Sequence, residues 1–577
     1  MSQPEIPPEI WHLILKAQRH KLPTRSDLAN VCSVSRLFDT LATPLLYRSV
    51  ILCRMSNDWS LFPDDFEATE RPKHFEDLYF GLFYRLLDDR NEVLRAFVRE
   101  MTFKLQGTKE DISRAWDKLR PPQDLLAGLV RKLPNLEAVY FIGELPISDA
   151  LVDAFLAHQK FPKLYLKHEE GLIQREICAP FVPEVCISVD TTAPVPTPNR
   201  ELRPWEQEFK PQRLALHEIF AAYPKLEDLS VSINLLRGGC VIDYSPDSAE
   251  IVPLSIPDKF TFPPLKNLSL SGYHITDEEK PLWKQRFPWG ELESLTLGVQ
   301  THNGVLESAT GNVHNLKNFQ ITSYTRHTAS NSSPELDLFL SSFNSLESLT
   351  AKGLVPSLNS VMNHSNLKHL CLHAIEETDQ ERKTLNLEEI EDLDLHCPNL
   401  TNLELDINPN GTWPKTSMEA LATKFGNLRE LIIHVGLGIS IAMKNAQKGF
   451  PLTKAFKSVL TEEIARSSAK RFLECRGPSN LTKITLKTGE DLRWFPQWHP
   501  GYADAEEECS RIFEIDARLG QDGEIILKEL DSTRASILRR LGSPNGAFNR
   551  TFLGKSPTRI STAPRVFQAS SFSTSST

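Results

Sequence analysis

The sequence contains no Cys-x-x-Cys pair, no Gly-x-Ser-x-Gly turn and no His-Glu-x-x-His. It therefore offers no paired-thiol metal frame and neither of two common hydrolase signatures. Its nine cysteines (32, 53, 178, 186, 240, 371, 397, 475 and 509) lie far apart and are odd in number. That argues against a disulfide framework and for free thiols in a reducing compartment, the cytoplasm or nucleus. No stretch reaches the ~18 consecutive apolar residues of a membrane helix. Met1-Ser2-Gln3-Pro4-Glu5 lacks a basic, apolar leader, so no secretory signal is expected. Acid is missing from Ser532 to Thr577, which carries seven cations; the net charge of −10 over 577 residues thus leaves −17 on the first 531. The overall acidity gives no general reason to bind nucleic acid. With 40% hydrophobic and 24% charged residues, the chain is neither collagen-like nor wholly disordered.

One phrase recurs: Leu, two mostly polar residues, an apolar residue, one variable residue, an apolar residue. It reads Leu226-Glu227-Asp228-Leu229-Ser230-Val231 and returns at Leu265, Leu292, Leu316, Leu346, Leu367, Leu400, Leu428 and Leu481, with a weaker copy at Leu136. From Leu226 to Leu428 the steps are 39, 27, 24, 30, 21, 33 and 28 residues. Leucine-rich repeats run ~20–29 residues with a Leu-x-x-Leu-x-Leu phrase, and most of these steps fall in or near that range. The asparagine that completes the strict phrase is mostly missing, so the repeats are degenerate. Alternation such as Leu268/Leu270 has the period of a strand with one buried face. Leu336, Phe339, Leu340 and Phe343 have helical spacing, as does the acidic stretch from Leu385 to Leu393. Each unit is a helix followed by a strand, and such units must stack to bury their apolar faces. The expected fold is α/β, an irregular solenoid with parallel strands inside and helices outside.

Two proline-bearing stretches, Cys178 to Pro211 and Arg237 to Pro264, show no sustained periodicity and read as surface insertions. From Leu87 to Leu105 a helix and then a strand are expected, with Val98 to Phe103 as the strand. From Ser556 the Ser/Thr-rich tail has disordered composition; Ser556-Pro557 has the form of a proline-directed phosphosite.

The N-terminus is different. Pro7 and Pro8 suit a helix start, and Ile10, Leu13 and Ile14 then share one face. Ser26 or Asp27 caps a second short helix offering Leu28, Val31 and Cys32; Ser33 or Ser35 starts a third, offering Leu37, Phe38 and Leu41. Three short helices bury little core by themselves, so this apolar surface asks for a partner. The Pro-Pro-Glu-Ile opening, the Leu28-Ala29-Asn30-Val31-Cys32-Ser33-Val34-Ser35-Arg36-Leu37-Phe38 centre and the Ala42-Thr43-Pro44-Leu45-Leu46-Tyr47-Arg48 close resemble the fungal-type F-box. It departs from the family's pattern at Ile6, where leucine is usual, and at Phe38, where tryptophan is.

The resemblance implies docking on the Skp adaptor of a cullin–RING ubiquitin ligase through Pro7, Ile10, Ile14, Leu28, Val31, Val34 and Phe38. An F-box followed by leucine-rich repeats implies that the repeats hold the protein to be ubiquitylated. A helical cap for the solenoid is the plain structural reading of the same stretch. The expected organisation is an F-box at 1–48, early degenerate repeats at 49–225, a repeat core at 226–490, a C-terminal helical cap at 491–550 and a basic tail at 551–577.

Outward strand positions form the expected concave face: Ser230, Ser232, Ser269, Ser271, Thr296, Gln320, Thr322, Thr350, Lys352, Cys371, His373, Glu404, Asp406, Ile432 and His434. Each alone reads as a solvated residue; the ensemble reads as a protein-binding surface. The substrate-binding candidates among them are Ser269, Ser271, Thr296, Gln320, Thr350, Lys352, His373, Glu404, Asp406 and His434.

No catalytic residue, cofactor or metal is expected. Gly436-Leu437-Gly438 reads as a turn after a strand, lacking the third glycine of a dinucleotide loop. His369 and His373 flank a strand phrase and read as one exposed and one half-buried histidine, not a metal pair; His396-Cys397 reads as structural. Rival functions are a scaffold with no ligase role and an enzyme with a site hidden in the insertions.

Overall fold

A computed structural model of the chain describes residues 25–54, 82, 85–105, 122–142, 149–168, 182–190, 216–234, 260–273, 275, 277–298, 302–323, 333–376, 382–407, 415–437, 460–477, 479–489, 510–517 and 525–530. Among the described residues, sixteen strands form one sheet in chain order. They are β1 (Ser49–Arg54), β2 (Glu100–Leu105), β3 (Ala138–Ile142), β4 (Lys163–His168), β5 (Glu184–Asp190), β6 (Asp228–Asn234), β7 (Asn267–Ser271) and β8 (Ser294–Leu297). Then follow β9 (Asn318–Thr322), β10 (Ser348–Lys352), β11 (His369–His373), β12 (Asn402–Ile407), β13 (Glu430–Val435), β14 (Lys483–Thr488), β15 (Arg511–Asp516) and β16 (Ile526–Leu530). Strands β1 to β14 are parallel, and each pairs only with its sequence neighbours. The two ends do not meet, so the sheet is open. A parallel step needs a crossover, and helices supply many of them. This mixed α/β array with its long open parallel sheet is compatible with a solenoid.

The recurring leucines enter one core. Leu136, Leu226, Leu265, Leu292, Leu316, Leu346, Leu367, Leu400, Leu428 and Leu481 are all essentially buried, and a continuous cluster runs from Val50 to Ala517. At such a site Leu→Ala costs about 2–5 kcal/mol. The residue after each leucine ties its repeat to the one before: Lys266 N–H donates to the Glu227 carbonyl, Glu293 to Lys266, Lys317 to Glu293, Glu347 to Lys317 and Lys368 to Glu347. The same side chains alternate in sign and pair across the strands, Lys266–Glu227 at 3.1 Å, Lys317–Glu293 at 2.9 Å and Lys368–Glu347 at 2.6 Å. The asparagine absent from its usual place often precedes the leucine. Asn315 Nδ2 donates to the Gly290 carbonyl, Asn399 to Ser365 and Asn427 to Pro398.

Local signals hold where helices were expected. The helix Pro334–Ser341 starts at Ser333, whose Oγ accepts the Leu336 amide, and buries Leu336, Phe339 and Leu340. The helix Leu387–His396 starts in a capping box, Asn386 with Glu389.

Two expectations are corrected, and one strand is new. The segment Cys178 to Pro211 is not simply an insertion, because β5 lies inside it and pairs with β4 and β6. Pro183 directly precedes the strand, where proline is tolerated. The strand β4 carries no leading leucine and was not anticipated. Within 491–550 the described residues form strands rather than a helical cap: β15 and β16 add antiparallel to β14. They cover the edge that a fourteenth parallel strand would leave unpaired. The basic tail and residues 235–259 lie outside the described residues, as does Ser556.

At the N-terminus α1 (Arg25–Val34) and α2 (Arg36–Arg48) pack on each other, and α2 reaches β1 and the helix Glu92–Phe97. Ser35 caps α2, accepting from the Phe38 amide. The helix expected from Pro7 lies outside the described residues. Among the described residues no helix is long and apolar enough to cross a membrane.

Candidate functional site

Successive side chains of a strand point to opposite faces of the sheet. The register therefore lines the solvent-facing side chains into rows across the sheet. One row runs Ser230, Ser269, Thr296, Gln320, Thr350, Cys371, Glu404, Ile432, Thr485. Beside it, at the C-terminal ends of the strands, lie Ser232 with Ser271, then Thr322, Lys352 and His373, then Asp406, His434 and Lys487. The sheet changes character along its length. Over β6 to β10 the first row is small and uncharged: Ser269, Thr296 and Thr350 are half-buried and Gln320 is exposed. Ser271 and Lys352 are half-buried as well.

From β11 to β13 the expectation of a solvated face fails. His373, Asp406 and His434 are buried, at 6%, 6% and 4% exposure. Of the histidine pair four residues apart, His369 is exposed and His373 is buried rather than half-buried. The cover is the chain leaving β11 and β13. Ala374, Ile375 and Glu376 fold over the row, Arg382 returns to it, and Leu437 closes the other side, its amide donating to Glu376 Oε2 at 2.8 Å. Gly436 and Leu437 thus leave β13 as part of this cover; Gly438 lies outside the described residues.

Asp406 is the hub. Its Oδ1 contacts His373 Nδ1 at 2.7 Å and accepts Arg382 Nη1 at 3.0 Å, while Oδ2 accepts the Ala374 amide at 2.5 Å. An ionised carboxylate only accepts, so His373 donates from Nδ1. Arg382 also faces Glu376, Nη2 to Oε2 at 3.5 Å. Beside this group His434 Nε2 lies 2.6 Å from Glu404 Oε1, which Lys352 Nζ approaches at 3.4 Å. The two imidazoles stack, with ring centroids 3.9 Å apart and planes at 24°.

Burial pushes the Glu404 carboxyl up, but the His434 hydrogen bond and the nearby Lys352 and Lys487 charges outweigh it and hold it below the usual carboxylate range. Burial pushes His434 below its ordinary value, against the pull of Glu404. Neutral His434 keeps its proton on Nε2, toward Glu404. Its Nδ1 is buried and finds no hydrogen-bond partner among the described residues. Burial, then the Glu404 charge, push the Cys371 thiol far up, so it stays protonated and is a poor nucleophile.

Among the described residues, His373, Asp406 and His434 each offer one ligand atom within 4.8 Å of the others, so together they could hold a metal. Next to them Thr350, His369, Cys371, Asn402, Glu404 and Ile432 border a shallow groove of about 180 Å³. That is smaller than the ~300–1,000 Å³ of typical small-ligand pockets.

Of the expected adaptor contacts, Pro7, Ile10 and Ile14 lie outside the described residues. Leu28 sits in the small core that α1 and α2 share with Ala42 and Leu45, and Val31 packs against it. Phe38 is half-buried, and Val34 is 69% exposed beside Leu37 at 44%. Sequence reading singled out neither Glu376 nor Arg382. Both belong to the polar stretch after β11, and nothing local marks it as a cover. A signal did exist for the row itself: His373, Asp406 and His434 each directly follow the repeat phrase of three successive units. No protein-family model matches the chain, and a search of curated proteins finds no relative.

Proposed function

We propose that the chain is a substrate-holding subunit of a Skp–cullin–F-box ubiquitin ligase, with an F-box at its N-terminus and leucine-rich repeats behind it. The observation that carries this reading is at α1 and α2. The helix pair is seated on the first repeat, yet it leaves Val34 and Leu37 in solvent. An apolar patch on a unit already anchored to its own chain is what an adaptor-docking surface requires. The F-box phrases in the sequence supply the partner's identity.

In this reading the first, uncharged row over β6 to β10 receives the substrate. Gln320, Thr296, Thr350 and Ser269 present donors and acceptors that are not consumed by buried ion pairs. The β11–β13 end is closed by its own cover and self-paired, and it stands outside that surface. The chain contributes proximity: it holds substrate lysines at high effective concentration beside a ubiquitin-loaded partner.

Co-purification with the Skp adaptor tests the proposal, wild type beside Val34→Asp. The substitution adds a charge at an exposed position, so the fold stays intact by circular dichroism. Capture by wild type and loss in the variant is the expected result. No capture of wild type, or equal capture of both proteins, overturns it.

A further inference from the structure

We propose that His373, Asp406 and His434 form a binding site for a divalent first-row transition ion of the zinc class. The inference stands apart from the ligase reading and needs nothing from it. Three successive strands place an imidazole, a carboxylate and an imidazole side by side in one row, all within 6% exposure. Two nitrogens and one oxygen suit zinc, cobalt or nickel; magnesium and calcium take oxygen shells.

The ring of His434 is the independent sign of a ligand. It is 4% exposed. Its Nε2 is committed to Glu404 at 2.6 Å, and its Nδ1 finds no hydrogen-bond partner among the described residues. A buried acceptor without a donor is a costly thing to keep. An ion on Nδ1 resolves it. Metal-bound imidazoles commonly donate their other N–H to a carboxylate, which fixes the tautomer and raises ligand basicity. Glu404 stands in that position behind His434, and Lys352 Nζ approaches the same carboxylate oxygen at 3.4 Å. Tetrahedral bonds of ~2.0–2.1 Å hold ligand atoms roughly 3.4 Å apart. The triad's ligand atoms lie within 4.8 Å of one another, and an ion bound through His373 Nδ1 takes the place of the proton that this atom donates to Asp406, which is released to solvent.

Arg382 is the resident cation of the metal-free form. Its Nη1 lies 3.0 Å from the Asp406 oxygen that also contacts His373. An entering ion competes with this guanidinium for Asp406. The competition separates a metal site from a purely structural polar cluster: removing the arginine charge weakens a structural cluster but tightens a metal site.

The test uses the full chain, stripped with chelator and titrated with Co²⁺ by visible absorption and with Zn²⁺ by calorimetry. Wild type takes one equivalent of each. His434→Ala lowers the affinity by at least ~100-fold. Glu404→Gln, which keeps shape and packing, lowers it ~10–100-fold as expected for an outer partner. Arg382→Gln raises it about tenfold, and exposed His369→Ala leaves it unchanged. If His434→Ala does not fold, Glu404→Gln and Arg382→Gln decide the matter between them. Absence of a stoichiometric site in wild type overturns the proposal, as does binding that survives Glu404→Gln and Arg382→Gln without change.

Discussion

Gly353 gives a sharp test of how the sheet is stitched at the edge of the buried row. It follows β10 with φ +80°, in the left-handed region. Its amide donates to the His373 carbonyl at 2.7 Å, while Ser323 N–H donates to the Lys352 carbonyl at 2.8 Å. A Cβ built on Gly353 falls inside the contact distance of the Ser323 carbonyl oxygen and lies 2.8 Å from its carbon and 3.0 Å from Ile375 Cδ1. Gly311 has nearly the same φ, +77°, with nothing within 4 Å of its Cβ position. Alanine at Gly311 therefore meets only the conformational cost, about 1 kcal/mol. Alanine at Gly353 adds a clash with backbone, which cannot rotate away; overpacking of this kind costs ~1–3 kcal/mol more. The expected total for Gly353→Ala is about 3 kcal/mol. Urea unfolding followed by tryptophan fluorescence measures both, with buried Trp283 and Trp289, which lie together between β7 and β8, as reporters. Equal losses for the two variants would refute the argument, since they differ only in what the added methyl meets.

Two further outcomes follow from charge. Burial pushes the His364 imidazole down to about 4, against the pull of the Leu340 and Asn344 backbone. The unfolded chain binds this proton more readily between pH 6.5 and about 4, so the contribution is complete above pH 6.5 and is lost as pH falls toward 4, about 3 kcal/mol in all. His364→Leu removes that slope: urea midpoints at pH 7.5, 5 and 4 converge on the variant's favour as pH drops, and parallel midpoints would sink the assignment. Lys317→Glu puts a third carboxylate in line between Glu293 and Glu347, both now held below the ordinary range by their lysine hydrogen bonds. It lowers the melting temperature at low salt, and 0.5 M NaCl recovers part of the loss; a salt-independent loss would contradict the charge ladder.

The repeat phrase and the Pro334–Ser341 and Leu387–His396 helices were legible because their signals are local. A leucine three residues before a period-two alternation, or Ser and Asn ahead of a helical stripe, is read within a dozen residues. The strand β5 carried the same alternation at Val185, Ile187 and Val189, but its neighbouring prolines masked it. The alternation of Glu227, Lys266, Glu293, Lys317, Glu347 and Lys368 was present too, and it became meaningful only once the register set those residues side by side.

Sequence alone determined which residues face the core, because a strand's side chains alternate by covalent geometry and apolar ones must leave water. It also placed His373, Asp406 and His434 at equivalent positions of successive units. Only tertiary structure decided that these three are buried. Burial depends on the chain after β11 and β13 folding back, so that Glu376, Arg382 and Leu437 meet a row of side chains contributed by three other segments. No local pattern encodes a contact between residues 24 to 61 positions apart, and it is that contact which turns an ordinary strand face into a closed cluster with an unpaired imidazole nitrogen.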